Sequence, residues 1–127
     1  MKKPYSKTFN LQITDAGKTV KKTFEVDKSV VLIQAVMLTS NREELMYCRG
    51  TLRLEINKDE IFTEDTPVKK IYALPSVDAN HRPYRIGNIS TGNGLITFEY
   101  TDSEDSRTVF APYTVSLTID GERDTNA

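Results

Sequence analysis

The sequence predicts an all-β fold: a single antiparallel β-sandwich of about eight or nine strands, jelly-roll or immunoglobulin-like in topology. Two observations predict it. Apolar residues alternate with polar ones in repeated short runs: Phe9, Leu11, Ile13; Leu52, Leu54, Ile56; Ile96, Phe98, Tyr100; Val115, Leu117, Ile119. A side chain reverses face at each strand residue, so each run has one buried face and one wet face. The chain also lacks any long stretch of helical period. Its longest apolar run, residues 30–38, is β-branched at first and broken only by Gln34, which suits a strand buried on both faces. At 127 residues, 1–127 reads as one domain able to bury roughly two-thirds of its unfolded surface, with no need of a disulfide or metal staple.

The elements follow in order. A first strand over residues 5–13 turns at Asp15-Ala16-Gly17-Lys18 into a second over residues 19–26, and Gly17 suits the positive φ of a hairpin turn. Residues 30–38 form the third strand. Residues 40–47 suit one helical turn capped by Ser40 or Asn41. Residues 51–56 and 61–62, around the polar loop Asn57-Lys58-Asp59-Glu60, predict a hairpin. Residues 68–74 read as a further strand. Pro75 and Pro83 exclude a continuous inner strand between them, so residues 75–94 form a loop long enough to cross between sheets, with brief pairing at Tyr84-Arg85-Ile86. Residues 95–100 are a strand, Asp102 to Ser106 a solvated hairpin loop, and residues 108–110 and 113–119 a last strand broken at Pro112. The tail from Gly121 offers no residue for burial. Trp is absent and Cys48 stands alone, so the paired cysteines around a core Trp of antibody domains are missing.

Composition narrows the function. The chain is 38% hydrophobic and 28% charged with net charge −1, an ordinary globular balance that gives no reason to expect nucleic acid. Charge is unevenly spread. Residues 1–28 hold seven Lys against three acidic residues, and residues 97–127 hold two Arg against seven acidic residues. Either the opposed ends attract neighbouring copies, or two terminal strands pair within one sheet. No run approaches the roughly 18 apolar residues of a membrane span. The basic start Met1-Lys2-Lys3-Pro4 has no apolar segment behind it, and the single Cys48 forms no internal bridge. Synthesis in a reducing cytoplasm without a signal peptide is the expectation.

Catalysis, cofactors and metals find little support. The one histidine, His81, lies three residues from Asp78, but no nucleophile is marked beside it. One His and one Cys leave a transition-metal site to carboxylates, and Cys48 reads as a strand-packed thiol beside Arg49. The acidic groups Asp102, Glu104, Asp105 and Glu64, Asp65 raise calcium, yet their spacing matches no EF-hand, so solvated loops are expected. No glycine-rich phosphate loop opens a helix, and Asn88-Ile89-Ser90 matches a glycosylation acceptor by coincidence. Binding is better supported. Tyr72, His81, Arg82, Tyr84 and Arg85 gather around the irregular loop, and Arg and Tyr suit interface centres because they bury large area at small rotamer cost. The plainer reading is a loop pinned to its own sandwich by Tyr84.

Residues 31–41 (Val-Leu-Ile-Gln-Ala-Val-Met-Leu-Thr-Ser-Asn), residues 47–62, which open Tyr47-Cys48-Arg49-Gly50, and the closing Pro112-Tyr113-Thr-Val-Ser-Leu-Thr-Ile119 run together resemble the small β-sandwich, jelly-roll-like structural proteins of bacteriophage particles. The resemblance implies a non-enzymatic subunit of the virion, made in the host cytoplasm, a homo-oligomer assembling with itself and other coat proteins. It transfers no site residue. The alternative from the loops is a ligand-binding sandwich that recognises carbohydrate or protein around Tyr84 and Asp102.

Overall fold

The computed structural model describes residues 2–70, 72, 83–92, 94–103 and 108–124, with the side chains of residues 2, 64 and 65 left aside. Eight strands are described: β1 (Lys2–Ile13), β2 (Thr19–Glu25), β3 (Val30–Ser40), β4 (Gly50–Ile56), β5 (Asp59–Pro67), β6 (Tyr84–Ser90), β7 (Leu95–Asp102) and β8 (Tyr113–Asp124). One helix, α1 (Glu43–Arg49), links β3 to β4, and a 3-10 turn (Val68–Lys70) follows β5. The strands form two four-stranded sheets, ordered β1-β8-β3-β6 and β2-β7-β4-β5.

That order decides the topology. Strand pairs β1·β8, β2·β7, β3·β6 and β4·β5 are all antiparallel, as in one long hairpin folded at the β4–β5 turn. Rolling that ribbon brings β8 against β3 and β7 against β4, again antiparallel. This is a jelly roll, not an immunoglobulin-like sandwich. The predicted hairpins between residues 5–26 and around Asp102–Ser106 do not exist as such, because β1 and β2 lie in different sheets, as do β7 and β8. Gly17 does take positive φ, at 71°, but in a connection that crosses between sheets.

The alternating runs supply the core. Leu11 and Ile13, Leu52, Leu54 and Ile56, Ile96, Phe98 and Tyr100, and Val115, Leu117 and Ile119 are all buried between the sheets. Phe9 stacks on Phe24 with ring centroids 4.2 Å apart, closing the side where β1 and β2 run. Phe62 meets Tyr84 edge-on at 5.6 Å, closing the opposite side, where β5 and β6 run. Strand β3 is fully covered only on its core face, since Val31, Gln34 and Met37 are half-buried.

Local chemistry explains the departures from expectation. The helix runs two turns, not one, with Glu43 and Glu44 in its first turn and Arg49 in its last, each at the favourable pole. Ser40 and Asn41 do not cap it. Ser40 Oγ donates to Thr114 O at 2.7 Å, and Asn41 Oδ1 accepts from Thr114 N at 2.8 Å, so both fasten β3 to β8. The predicted strand from residue 68 begins as a 3-10 turn, and residues 71, 73 and 74 lie outside the described residues. The last strand starts at Tyr113 and runs past Ile119 to Asp124, because Gly121 lets β3 press close. A Cβ at Gly121 would strike the Leu32 carbonyl where β3 shifts register against β8. The oppositely charged terminal segments are thus partners in one sheet, Lys2 opposite Asp124 and Ser6 opposite Asp120.

The β4–β5 hairpin is tighter than its polar loop suggests. Ile56 pairs with Asp59, leaving a two-residue turn in which Asn57 (φ 51°) and Lys58 (φ 68°) are both left-handed. Asn accepts that conformation and Lys does so at a cost. Lys58→Gly is expected to raise stability by about 1 kcal/mol, read as a higher urea midpoint with unchanged slope. Gly121→Ala is expected to lower it by about 1–3 kcal/mol, and an unshifted midpoint would contradict the close packing described.

Candidate functional site

The most developed polar assembly lies inside one end of the sandwich. Asp102 ends β7 on the core face and is fully buried. Its Oδ1 accepts from Arg49 Nε at 2.9 Å and from the Tyr113 hydroxyl at 2.6 Å. Its Oδ2 accepts from Arg49 Nη2 at 2.9 Å and from the Gly17 amide at 3.1 Å. Arg49 Nη1 donates to Thr108 Oγ1 at 3.2 Å, and the guanidinium lies 5.4 Å from the Phe110 ring centroid. Tyr100 and Tyr113 share a hydroxyl hydrogen bond of 2.9 Å.

Each residue arrives by simple geometry. Asp102 continues the inward period Ile96, Phe98, Tyr100 by one more step, and Tyr113 begins the inward period of β8. Arg49 follows Leu45 by one helical turn and shares its buried face. Gly50, next to it, has no room for a Cβ between the Tyr100 hydroxyl, the Met46 carbonyl and Val68.

Burial alone would push the Asp102 carboxyl upwards, but hydrogen bonds from Arg49, Tyr113 and Gly17, with the Arg49 charge, hold it below its usual range. Burial pushes both the Tyr100 and Tyr113 hydroxyls well above theirs, with Asp102 adding to the effect. The assembly is therefore a charged, satisfied pair at neutral pH. Both Asp102 oxygens are taken, so Asp102 belongs to no solvated loop and no calcium site. Glu104 and Asp105 lie outside the described residues, among which no cluster of three or more His, Cys, Asp or Glu is placed to hold a metal.

The predicted contact residues scatter. Tyr84 lies on β6, half-buried against Phe62, and pins its own sandwich. Tyr72 packs edge-on against Tyr47 of α1 at 5.9 Å. His81 and Arg82 lie outside the described residues. Cys48 is half-buried on α1, not strand-packed, while the Arg49 cation is committed to Asp102. Only Arg85 is exposed among those described, on the outer face of the β1-β8-β3-β6 sheet. There Ser6, Asp120, Ala35 and Arg85 form one row across four strands. They line a groove of about 370 Å³ with Gln34 and Tyr5. Asn88 of the glycosylation pattern accepts from Gln34 Nε2 at 3.2 Å on the same sheet.

No family model matches the sequence, and no curated relative matches it. Among solved structures it is similar to the VP2 subviral particle of infectious bursal disease virus, at 13% identity and a TM-score of 0.34. The likeness covers 96% of this chain and 37% of that one, so the chain spans little more than a third of that protein's length. A likeness this loose identifies neither a family nor a function.

The buried pair sets the pH range of the fold. Asp102, depressed when folded, stabilises above its unfolded value of 3.8, and that contribution is lost as pH falls through the lower folded value. Tyr100 and Tyr113, raised when folded, stabilise below their unfolded value of 10.0, and that contribution is lost as pH rises beyond it. Asp102→Asn is expected to cost about 3–5 kcal/mol at pH 7, because it leaves Arg49 buried without its counter-charge. Urea midpoints of both proteins from pH 7 to pH 2 should converge as the wild type loses the carboxylate. A constant gap across that range would remove Asp102 as the acid-sensitive group.

Proposed function

We propose that the chain is a non-enzymatic structural subunit of a viral particle, of the bacteriophage kind, which assembles with itself and other coat proteins in the virion. The jelly roll is an architecture of viral capsid domains, though also of lectins and cupins, so the fold by itself does not choose among them. The observation that carries the reading is where the polar chemistry has gone. The buried charges and hydroxyls spend themselves on one another at the closed end, while the outward features, among the described residues, are long strands that each border a sheet on one side. β1, twelve residues long, and β2, β5 and β6 each border a sheet on one side only. Open edges are where sandwiches meet other chains, and rigid sandwiches with committed interiors suit assembly more than turnover.

The groove beside Arg85 supports a second reading, a module that binds carbohydrate. Its Arg85, Gln34, Ser6 and Asp120 mix donors and acceptors on one outer face, the set that orients a polyhydroxylated ligand.

Light scattering at low and high salt separates the two. A structural subunit is expected to form a discrete oligomer or particle, weakening with salt if charged contacts hold it. A monomer at every salt that binds glycans saturably, and loses them on Arg85→Ala, would replace the first reading with the second.

A further inference from the structure

The outer face of the β1-β8-β3-β6 sheet carries one row whose charges are not spent within the sheet. Facing partners in a sheet point to the same side, so Ser6, Asp120, Ala35 and Arg85 project together from four successive strands. Two neighbouring rows close on themselves: Thr118 bonds Thr8 at 2.8 Å, and Ser116 bonds Asn10 at 2.6 Å. In the row of Ala35, by contrast, the side chains of Ser6, Asp120 and Arg85 make no hydrogen bond or ion pair among the described residues. Asp120 and Arg85 stand on strands two spacings apart, about 10 Å between backbones. Between them Ala35 is buried although it faces outward, a small side chain that forms the floor of the groove.

A β-bulge completes that groove. Ile33 and Val36 are both fully buried in the core, so two residues stand between core-face positions where a regular strand has one. Gln34 and Ala35 are that pair, and β3 shifts register between Ile33 and Ala35 against both β6 and β8. Both residues therefore line the groove, Ala35 as floor and Gln34 as wall. Gln34 Nε2 donates to Asn88 Oδ1 at 3.2 Å, which commits a donor and leaves Oε1 as an acceptor.

The groove thus offers one cation and several acceptors. Arg85 presents a planar fork of N–H donors that matches a carboxylate through two parallel bonds. The Asp120 carboxylate and Gln34 Oε1 accept, and the Ser6 hydroxyl does either. A neutral sugar satisfies the acceptors but leaves Arg85 without a counter-charge. A simple anion satisfies Arg85 but brings no donors to the acceptors, and Asp120 repels it. A ligand with a carboxylate at one end and hydroxyls at the other meets both requirements. The volume of about 370 Å³ lies in the range of small-ligand sites, and Pro4 and Pro83 give it apolar flanks for a sugar's C–H face.

We propose that this groove binds an acidic sugar, a uronate whose carboxylate pairs with Arg85 while its hydroxyls donate to Asp120 and Gln34. The inference rests on the carbohydrate-binding reading of the groove and names its ligand class.

Matched sugars test it with the full chain. Methyl glucuronide and methyl galacturonide differ from methyl glucoside and methyl galactoside only in carrying a carboxylate where the neutral sugar has a hydroxymethyl group. Ligand-observed NMR titration at physiological salt reads each affinity whatever the oligomeric state, with acetate as the simple anion. At least one uronide is expected to bind about tenfold or more tighter than its neutral partner, and tighter than acetate by a similar factor. Arg85→Gln is expected to erase the preference for the uronide. Ala35→Met, which fills the floor, is expected to abolish binding of every sugar, with circular dichroism establishing that both variants fold. Equal affinity for uronide and neutral sugar overturns the acidic ligand and leaves the carbohydrate reading standing. Binding of acetate as tight as that of the uronides, or a preference that survives in both folded variants, overturns the proposal as well. A wild type that binds none of the sugars removes the carbohydrate reading itself.

Discussion

The fold depends on one buried carboxylate. Asp102 takes four hydrogen bonds from three donor residues, and those donors belong to different crossings between the sheets. Gly17 lies in the β1–β2 crossing, Arg49 at the end of the β3–β4 crossing, and Tyr113 at the end of the β7–β8 crossing. A rolled ribbon has to change sheet repeatedly, and each change leaves backbone and polar groups at the end of the sandwich without a ladder partner. Here one charged group gathers three of these changes. Little dielectric screening reaches it, so the interactions are strong while complete and costly when one partner is removed. The cramped neighbourhood of Gly50 and the Tyr100–Tyr113 hydroxyl pair follow from packing chain around that centre.

With the interior closed in this way, the outer faces largely satisfy themselves. On one sheet Thr8 bonds Thr118 at 2.8 Å and Ser116 bonds Asn10 at 2.6 Å. On the other, Arg53 is ringed by Glu55, Glu60 and Glu99, and Glu99 also reaches Lys21 at 3.9 Å. Cross-strand pairs of this kind fix register more than they attract partners. What stays open among the described residues is the rim, where β1, β2, β5 and β6 each border a sheet on one side. The functional reading therefore concerns edges, and the groove beside Arg85 is a face feature that competes with it.

Much of this was legible in the sequence, and the misses have physical causes. The inward residues of β4, β7 and β8 follow from alternation, as does the β4–β5 hairpin. The same alternation extended by one step puts Asp102 inside, a signal overlooked because an acidic neighbourhood suggests water. A carboxylate on a core-face position demands a buried cation, and Arg49 is 53 residues away, across a crossing that local pattern does not describe. Tyr84, read with only brief pairing inside an irregular loop, opens a seven-residue strand and meets Phe62, since that outcome depends on what the opposite sheet presents. The strand expected at residue 68 failed for a related reason, and the helical turn expected over residues 40–47 is present but runs from Glu43 to Arg49 without either expected cap. Local propensity is weak there, and packing against Tyr47, Tyr100 and Val68 decides the backbone.

The sequence by itself determined that this is a sandwich, because a two-residue period has only one economical burial and 127 residues suffice to achieve it. It also determined which side chains face inward, since parity along a strand is local. Tertiary structure decided the rest. Strand order, and with it the jelly roll, comes from which edges close on which, a long-range choice that periodicity does not encode. The same choice paired the charged termini with each other, β1 against β8. Charge belongs to residues, but a charged surface exists only once distant strands are placed side by side.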